Sequence, residues 1–305
     1  SLALAQIPLI ELGYFGGLPE LHLVENAGLT ADFPLDLVEE LATAHPLTRF
    51  ALMVHPGSVK VMPAFRSLKQ AGVSMVRFVY HPDWEQTLRQ FLTEAQHAGL
   101  ITSVNLALSS RYDRQTLRDV CREVASWSPS IIYLADTCGA FYPNQVTRLF
   151  DELTASVSIP LGFHAHDFLS LALANSLAAA SAGARYIDIS LAGIGRGAGN
   201  LRTETWCISS IAQGAVSYNL EALLPGLQVL QEYGLSGVQQ DLMSIVCGAC
   251  NLTPPEEQLL RDFAYKERYP PDLVACKYAQ CQGQLPHLTW QALQRMCEMT
   301  SYISA

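Results

Sequence analysis

Charge is scarce in this chain: only 15% of its 305 residues are Asp, Glu, Lys or Arg, while half are apolar. A disordered or fibrous chain needs the opposite balance, so the composition points to a folded protein with many buried segments. Positive charge is scarcer still, with 19 Lys and Arg against 28 Asp and Glu and a formal net charge of -9. That deficit argues against nucleic acid as the main partner, because phosphate binding needs a basic surface. It leaves small anionic substrates open, since these feel only the local field of a cleft. Long apolar runs are lacking too. The most apolar stretch, Leu169 to Ala184, is broken by Ser170, Asn175, Ser176, Ser181 and Gly183. It reads as a helix packed on a sheet and not as a membrane span. No basic segment followed by an apolar one opens the chain, so no export signal is visible and a cytoplasmic location with no membrane partner is expected.

Cysteine is not lacking, with eight in the chain, but without an export signal reduced thiols are expected over disulfides. Cys247-Gly-Ala-Cys250, with Cys276 and Cys281 downstream, has the outline of a zinc site. Cys247 and Cys250 lie in a run with helical character, DLMSIVCGACNL, where cysteine serves as a small core residue, and that is the stronger reading.

Short β-rich runs recur along the chain: Ile7–Gly13, Arg49–Val54, Ser74–Tyr80, Ile101–Leu106, Ser130–Asp136, Ile159–His164 and Arg185–Ser190. Amphipathic stretches such as Trp84–Ala98 and Gln115–Trp127 separate them, and Gly99, Gly183 and Ser128-Pro129 supply helix stops. Apolar strands alternating with helices imply a parallel α/β sheet covered on both faces. Seven strands allow an open doubly wound sheet or a barrel short of one strand, and the pattern alone does not choose. Beyond about Asn219 helices take over, through Pro225–Tyr233, Val238–Cys250 and Thr289–Ile303. The expected division is a barrel or sheet domain over 1–218 and an all-helical extension over 219–305.

The most informative stretch is Gly162-Phe-His-Ala-His-Asp167. Residues two apart on a strand point the same way, so His164 and His166 project together from one face. They stand where the strand gives way to a helix, the C-terminal end that forms the functional rim of parallel barrels. Two imidazoles there could clamp a metal completed by oxygen ligands, although from H-x-H alone two structural histidines are an equal reading. The run Leu191-Ala-Gly-Ile-Gly-Arg-Gly-Ala-Gly-Asn200 follows the last strand. Gly193, Gly195, Gly197 and Gly199 allow a tight loop to approach the site, and Asn200 offers an amide oxygen. Gly193, Gly195 and Ala198 also have dinucleotide-fingerprint spacing, but no further strand completes that fold. His55 and His81 follow strands and read first as loop histidines, while His22, His45, His97 and His287 read as surface or capping residues. Cys138, with no histidine beside it in sequence, reads as packing.

The block from His164 to Glu204 resembles the strand-7 to strand-8 region of the DRE-TIM metallolyases, the HMG-CoA lyase-like family. Ser190 to Asn200 is most similar to the 4-hydroxy-2-oxovalerate aldolase branch. Ile10-Glu-Leu-Gly13 and Ala135-Asp-Thr-Cys-Gly139 extend the resemblance to about residues 7 to 210. The resemblance implies a (β/α)₈ TIM barrel with a helical C-terminal extension, and a divalent metal held by His164 and His166. It places Asn200 beside the metal and Glu11, Asp136 and Asp167 in the polar shell around it. It implies Mn²⁺ or Mg²⁺, with other divalent metals open to imidazole, and a small 2-oxo acid substrate. A homo-oligomer and a partner dehydrogenase also follow from the resemblance.

Two departures stand out. The family's first strand ends in an Arg-Asp pair that binds metal and substrate; Ile7–Gly13 matches the second strand, so that pair is expected upstream of Ser1. Thr116-Leu-Arg-Asp119 only imitates it, because it falls within an amphipathic helix on the outside of a barrel. The aldolases also carry tyrosines in a G-Y-A-G-V-Y-like run of the extension, whereas the nearest match here, Gly234-Leu-Ser-Gly-Val-Gln239, has neither aromatic. Proton transfer then needs another residue or water. The expected activity is metal-dependent cleavage or formation of a carbon–carbon bond in a 4-hydroxy-2-oxo acid. The alternatives are an acyl-CoA-dependent Claisen-type synthase or acyl-CoA lyase on the same barrel, and a non-catalytic barrel subunit.

Overall fold

A computed structural model describes residues 1–17, 29–59, 61–215, 218–235, 240–281 and 287–299. Seven parallel strands pair in sequence order: β1 (Leu9–Tyr14), β2 (Arg49–Val54), β3 (Val73–Tyr80), β4 (Ile101–Leu106), β5 (Ile131–Asp136), β6 (Leu161–Ala165) and β7 (Tyr186–Ile187). Between and after them run α1 (Leu35–Ala44), α2 (Phe65–Gln70), α3 (Glu85–His97), α4 (Arg114–Ser126), α5 (Pro143–Ser156), α6 (Ala172–Ser181) and α7 (Thr203–Ala212). In a flat sheet β1 and β7 would stand roughly 29 Å apart at about 4.8 Å per strand. One guanidinium on β3, that of Arg77, instead bridges Glu11 on β1 and Asp188 just after β7. The sheet is therefore curled, and supplies seven of the eight strands of a (β/α)₈ barrel.

Strand alternation sorts the side chains. Leu52, Val54, Val76, Phe78, Val104, Ile132, Leu134 and Phe163 point outward and pack with the helices in the main core. Ala51, Met75, Ile131 and Tyr133 point inward and form a second, smaller buried layer in the barrel interior. A Cβ at Gly162 would stand 2.5 Å from the Tyr133 ring, so glycine on β6 is what lets that ring cross the interior.

The sequence run expected to form the last strand through Ser190 is hydrogen-bonded as a strand only at β7. After Ile187 the chain pairs once more, Asp188 N–H donating to Phe163 O, and then turns to bond with its own return path. Ser190 N–H donates to Leu201 O, and Thr203 N–H to Ser190 O. The glycine-rich loop is thus closed at its neck by backbone bonds, which end the strand early.

The C-terminal part holds α8 (Leu224–Glu232), α9 (Leu242–Ala249), α10 (Pro254–Lys266), α11 (Pro271–Gln280) and α12 (Trp290–Met299). Of these α10 and α11 go beyond the helices expected from sequence. The start of α10 is nevertheless written in Thr253-Pro-Pro-Glu256, where Glu256 accepts from the Thr253 N–H in a capping box. Met243, Val246, Cys247, Leu260, Phe263, Val274, Leu293 and Met296 form their core, which Phe168 and Ala198 join from the barrel rim. Cys247 is fully buried there, and burial pushes its thiol up to about 12. No helix among the described residues is long and apolar enough to cross a membrane.

Asp241 caps α9, accepting from Ser244 N–H at 2.7 Å, and takes both ends of the Arg261 guanidinium. The hydrogen bonds from Arg261 hold its carboxyl down at about 2. Asp241→Ala should cost about 1 kcal/mol in urea denaturation at neutral pH, mostly as a lost cap, because the pair is partly exposed to solvent. A depressed carboxyl stabilises above its unfolded value and loses that contribution as pH falls through the folded one. The gap between parent and variant should therefore persist at pH 5 and shrink towards pH 2.

Candidate active site

His164 lies on β6 and His166 just beyond its end, with ring centroids 5.1 Å apart and planes crossed at 70°. Their parity is the inward one, shared with Gly162. His164 Nδ1 sits 3.0 Å from Asp188 Oδ2, which fixes that nitrogen as the one bearing the proton and leaves Nε2 with a lone pair. The same Asp188 oxygen takes Arg77 Nη2 at 2.6 Å, and Arg77 Nη1 reaches Glu11 Oε2 at 2.9 Å. Arg77 also lies over the Tyr133 ring, 4.3 Å from its centroid. Tyr133 supports from below a chain of charges that runs Glu11, Arg77, Asp188, His164.

Arg77 and His164 favour the ionised form of Asp188 strongly enough to outweigh its burial and hold it at about 2. Glu11 goes the other way: burial raises it, and Arg77 only partly compensates. His166 is pushed well below the usual range by burial, and then by the nearby His164 and Arg196, so it stays neutral. A neutral imidazole is the form that ligates metals.

Asn200 is brought back to this rim by the glycine-rich loop and pairs with His166 in an antiparallel bridge. Its Nδ2 donates to Ile194 O at 3.2 Å. The loop needs left-handed backbone at Gly193, Gly197 and Gly199, with φ of +73°, +60° and +81°. A Cβ at Gly195 would collide with the Asn200 amide, so glycine there makes room for it.

The two expected acidic neighbours that follow β5 and β6 are otherwise engaged. Asp136 has the outward parity of Ile132 and Leu134, is fully buried, and accepts the N–H groups of Ala140 and Phe141 at 3.0 Å each. Asp167 accepts Ala172 N–H at 2.9 Å and caps the start of α6. Asp119 is on α4, away from the rim, exposed and bonded to Gln115. Cys138 is buried and its thiol pushed up to about 11, chiefly by desolvation. His55 and His81 follow β2 and β3 and flank the Trp84 indole, at 4.8 and 4.6 Å between centroids. Of Gly234-Leu-Ser-Gly-Val-Gln239, residues 236–239 lie outside the described residues, as does His22.

Whether a metal suits this rim can be judged from its unpartnered atoms. Among the described residues, the buried polar atoms without a hydrogen-bond partner include Arg77 Nε, His166 Nδ1 and Asn200 Oδ1, of which the last two offer lone pairs. No three His, Cys, Asp or Glu side chains among the described residues group to hold an ion, so a third protein donor would have to be of another kind, such as the Asn200 amide oxygen. Two imidazoles and an amide oxygen, without thiolate, fit a divalent ion whose remaining positions go to water or substrate oxygens.

A parallel barrel with paired histidines at its C-terminal rim defines the class, and comparison with known proteins narrows it. Residues 79–225 match the model of the HMGL-like family. A 4-hydroxy-2-oxovalerate aldolase of Geobacillus thermodenitrificans is 32% identical over 200 residues, 66% of this chain and 58% of that protein. One from Spirochaeta aurantia is 30% identical over 202 residues, again 66% and 58%. The chain thus spans somewhat under two thirds of these relatives. Among solved structures, the N-terminal domain of a provisionally assigned aldolase from Bacteroides vulgatus superposes with a TM-score of 0.71 at 21% identity, covering 87% of this chain and 89% of that one. The carboxyl transferase domain of Rhizobium etli pyruvate carboxylase with pyruvate gives 0.67 at 18%, over 91% and 50%. These two likenesses concern the fold.

Proposed function

We propose that the chain is the metal-binding barrel of a carbon–carbon lyase, an aldolase acting on a 4-hydroxy-2-oxo acid with Mn²⁺ or Mg²⁺. The observation that carries this reading is His164 held by Asp188 beside the unpartnered His166 Nδ1 and Asn200 Oδ1. The relatives' name, 4-hydroxy-2-oxovalerate aldolase, supports the substrate class.

His164, His166 and Asn200 would hold the ion. A divalent cation held by these residues would supply Lewis-acid stabilisation for negative charge gathering on the keto oxygen of a 2-oxo acid. Asp188 keeps the proton on His164 Nδ1, so Nε2 stays available. Arg77 offsets the charge of Asp188 and Glu11, so two carboxylates can stand near the mouth without repelling an acidic substrate as strongly. Glu11 gives Oε2 to Arg77 and retains Oε1, and burial raises its affinity for a proton. Its free Oε1 and raised proton affinity support it as the acceptor of the 4-hydroxyl proton, since the tyrosines that the aldolase extension carries have no match here.

The test is an assay of pyruvate release from a 4-hydroxy-2-oxo acid with Mn²⁺, followed by coupled reduction over a long time course. Pyruvate from the parent, lost on chelation and in His164→Ala, is the expected result. Acid–base assistance is worth about 10²–10⁴-fold, so Glu11→Gln should slow turnover within that range while leaving metal affinity nearly unchanged. Consumption of a thioester with the 2-oxo acid would replace the aldolase by a Claisen-type enzyme. Silence in both assays would leave a non-catalytic barrel.

A further inference from the structure

Among the described residues three charged side chains are buried: Arg77, Asp136 and Glu257. The first belongs to the mouth and the second secures the loop after β5. Glu257, on α10, has no part in the chemistry above, yet it carries two arginines. Its Oε1 takes Arg261 Nη2 at 3.0 Å, and its Oε2 takes Arg196 Nη1 at 2.6 Å. Arg196 is the residue at the tip of the glycine-rich loop. Its other arm donates to Thr137 O at 2.6 Å, just past β5, and its guanidinium lies over the Phe168 ring at 5.2 Å. One side chain therefore fastens the loop to the end of β5, to the segment after β6 and to the helical extension. Beside it a cavity of about 420 Å³ opens between the loop and α10, lined by both arginines, Glu257, Asp241 and Ser244. Its charges are paired with one another, which suits a joint better than a ligand site.

A loop this rich in glycine loses much conformational entropy on ordering, so it needs strong fixed points. Its own backbone bonds are few, among them Ile194 N–H to Leu191 O, Gly199 N–H to Arg196 O and Asn200 N–H to Gly193 O, with Asp167 N–H to Gly199 O tying it to the segment after β6. Gly195 packs against the Asn200 amide and Gly197 against Phe168. The residues on either side of Arg196 are thus those whose placement sets Asn200. We infer that Arg196 is a positioning residue, whose ion pair with Glu257 latches the glycine-rich loop to the helical extension and so holds Asn200 in place. The consequence for metal binding rests on the function proposed above; the latch itself does not.

The experiment uses amide hydrogen exchange on the intact protein, read in peptides spanning residues 191–201. Arg196→Met leaves Glu257 still paired with Arg261, so the extension keeps its buried charge compensated and folded. Loop peptides should exchange about tenfold faster in this variant, through local opening, while peptides from β4 and β5 stay as in the parent. Glu257→Gln should produce the same local change, and decides the matter if Arg196→Met fails to fold. Arg261→Met removes the other partner of the same carboxylate and should leave the loop at the parent's rate. Mn²⁺ titration should show roughly tenfold weaker binding in Arg196→Met, the scale of a lost outer-shell support. Unchanged loop exchange in Arg196→Met, or equal acceleration in Arg261→Met, overturns the latch whatever the metal does. A parent that binds no Mn²⁺ overturns the metal reading, while the loop exchange still decides the latch.

Discussion

Replacing His164 by alanine should weaken Mn²⁺ binding by more than about 100-fold, since even outer-shell partners of a metal site cost 10–100-fold when removed. Isothermal titration of the folded variant reads this directly. The variant should stay folded because Asp188, on losing the imidazole, retains Arg77 at 2.6 Å. Asp188→Asn is the companion measurement. An amide at that position can offer its N–H to His164 Nδ1, which moves the ring proton to Nε2 and takes away the ligating lone pair. Its loss of affinity should fall within about 10–100-fold, less than that of His164→Ala. Equal affinity in parent and His164→Ala would remove the histidine pair from the metal site.

Arg77→Met should be the most destabilising single change at the mouth. The arginine side chain is 7% exposed, and its departure leaves Glu11 and Asp188 as like charges with no counter-charge between them. Breaking a buried pair in this way costs about 3–5 kcal/mol, because Asp188, the more buried of the two surviving carboxylates, remains desolvated. Chemical denaturation should show that loss near neutral pH. The double variant Arg77→Met with Asp188→Asn should recover a substantial part of it, since only the half-exposed Glu11 then stays ionised. Purely additive losses would mean that the charges do not act together.

The framework of the fold was open to reading because its strands are short apolar runs at regular spacing, and β2 and β4 have the expected ends. The His164–His166 pair was legible for the same reason: a period of two puts both on one face. What escaped was their support. Arg77 and Asp188 were present in the runs SMVRFVY and RYIDIS as charged residues inside apolar strands. A buried charge needs a partner, so each signalled one; nothing in the sequence said that they partner each other. Asp136 illustrates the opposite difficulty. The resemblance placed it in the polar shell of the site; counting parity from Ile132 and Leu134 turns it outward, onto backbone amides. Arg196 stands in the glycine-rich run with nothing in the sequence to tie it to Glu257, which lies 61 residues away on α10.

The charge chain also bears on how the barrel comes together. Arg77 is 66 residues from Glu11 and 111 from Asp188. Contacts of such separation must meet the entropy of closing long loops before they return anything, so they arrive late in folding. β2 to β5 can zip between neighbours, but the Arg77 contacts form only when the first and last strands have already met across the interior. Mutations there should leave the folding rate nearly untouched and speed unfolding, the behaviour of positions organised after the transition state. The rim where chemistry is proposed is then the last part of the barrel to form and the first to come apart.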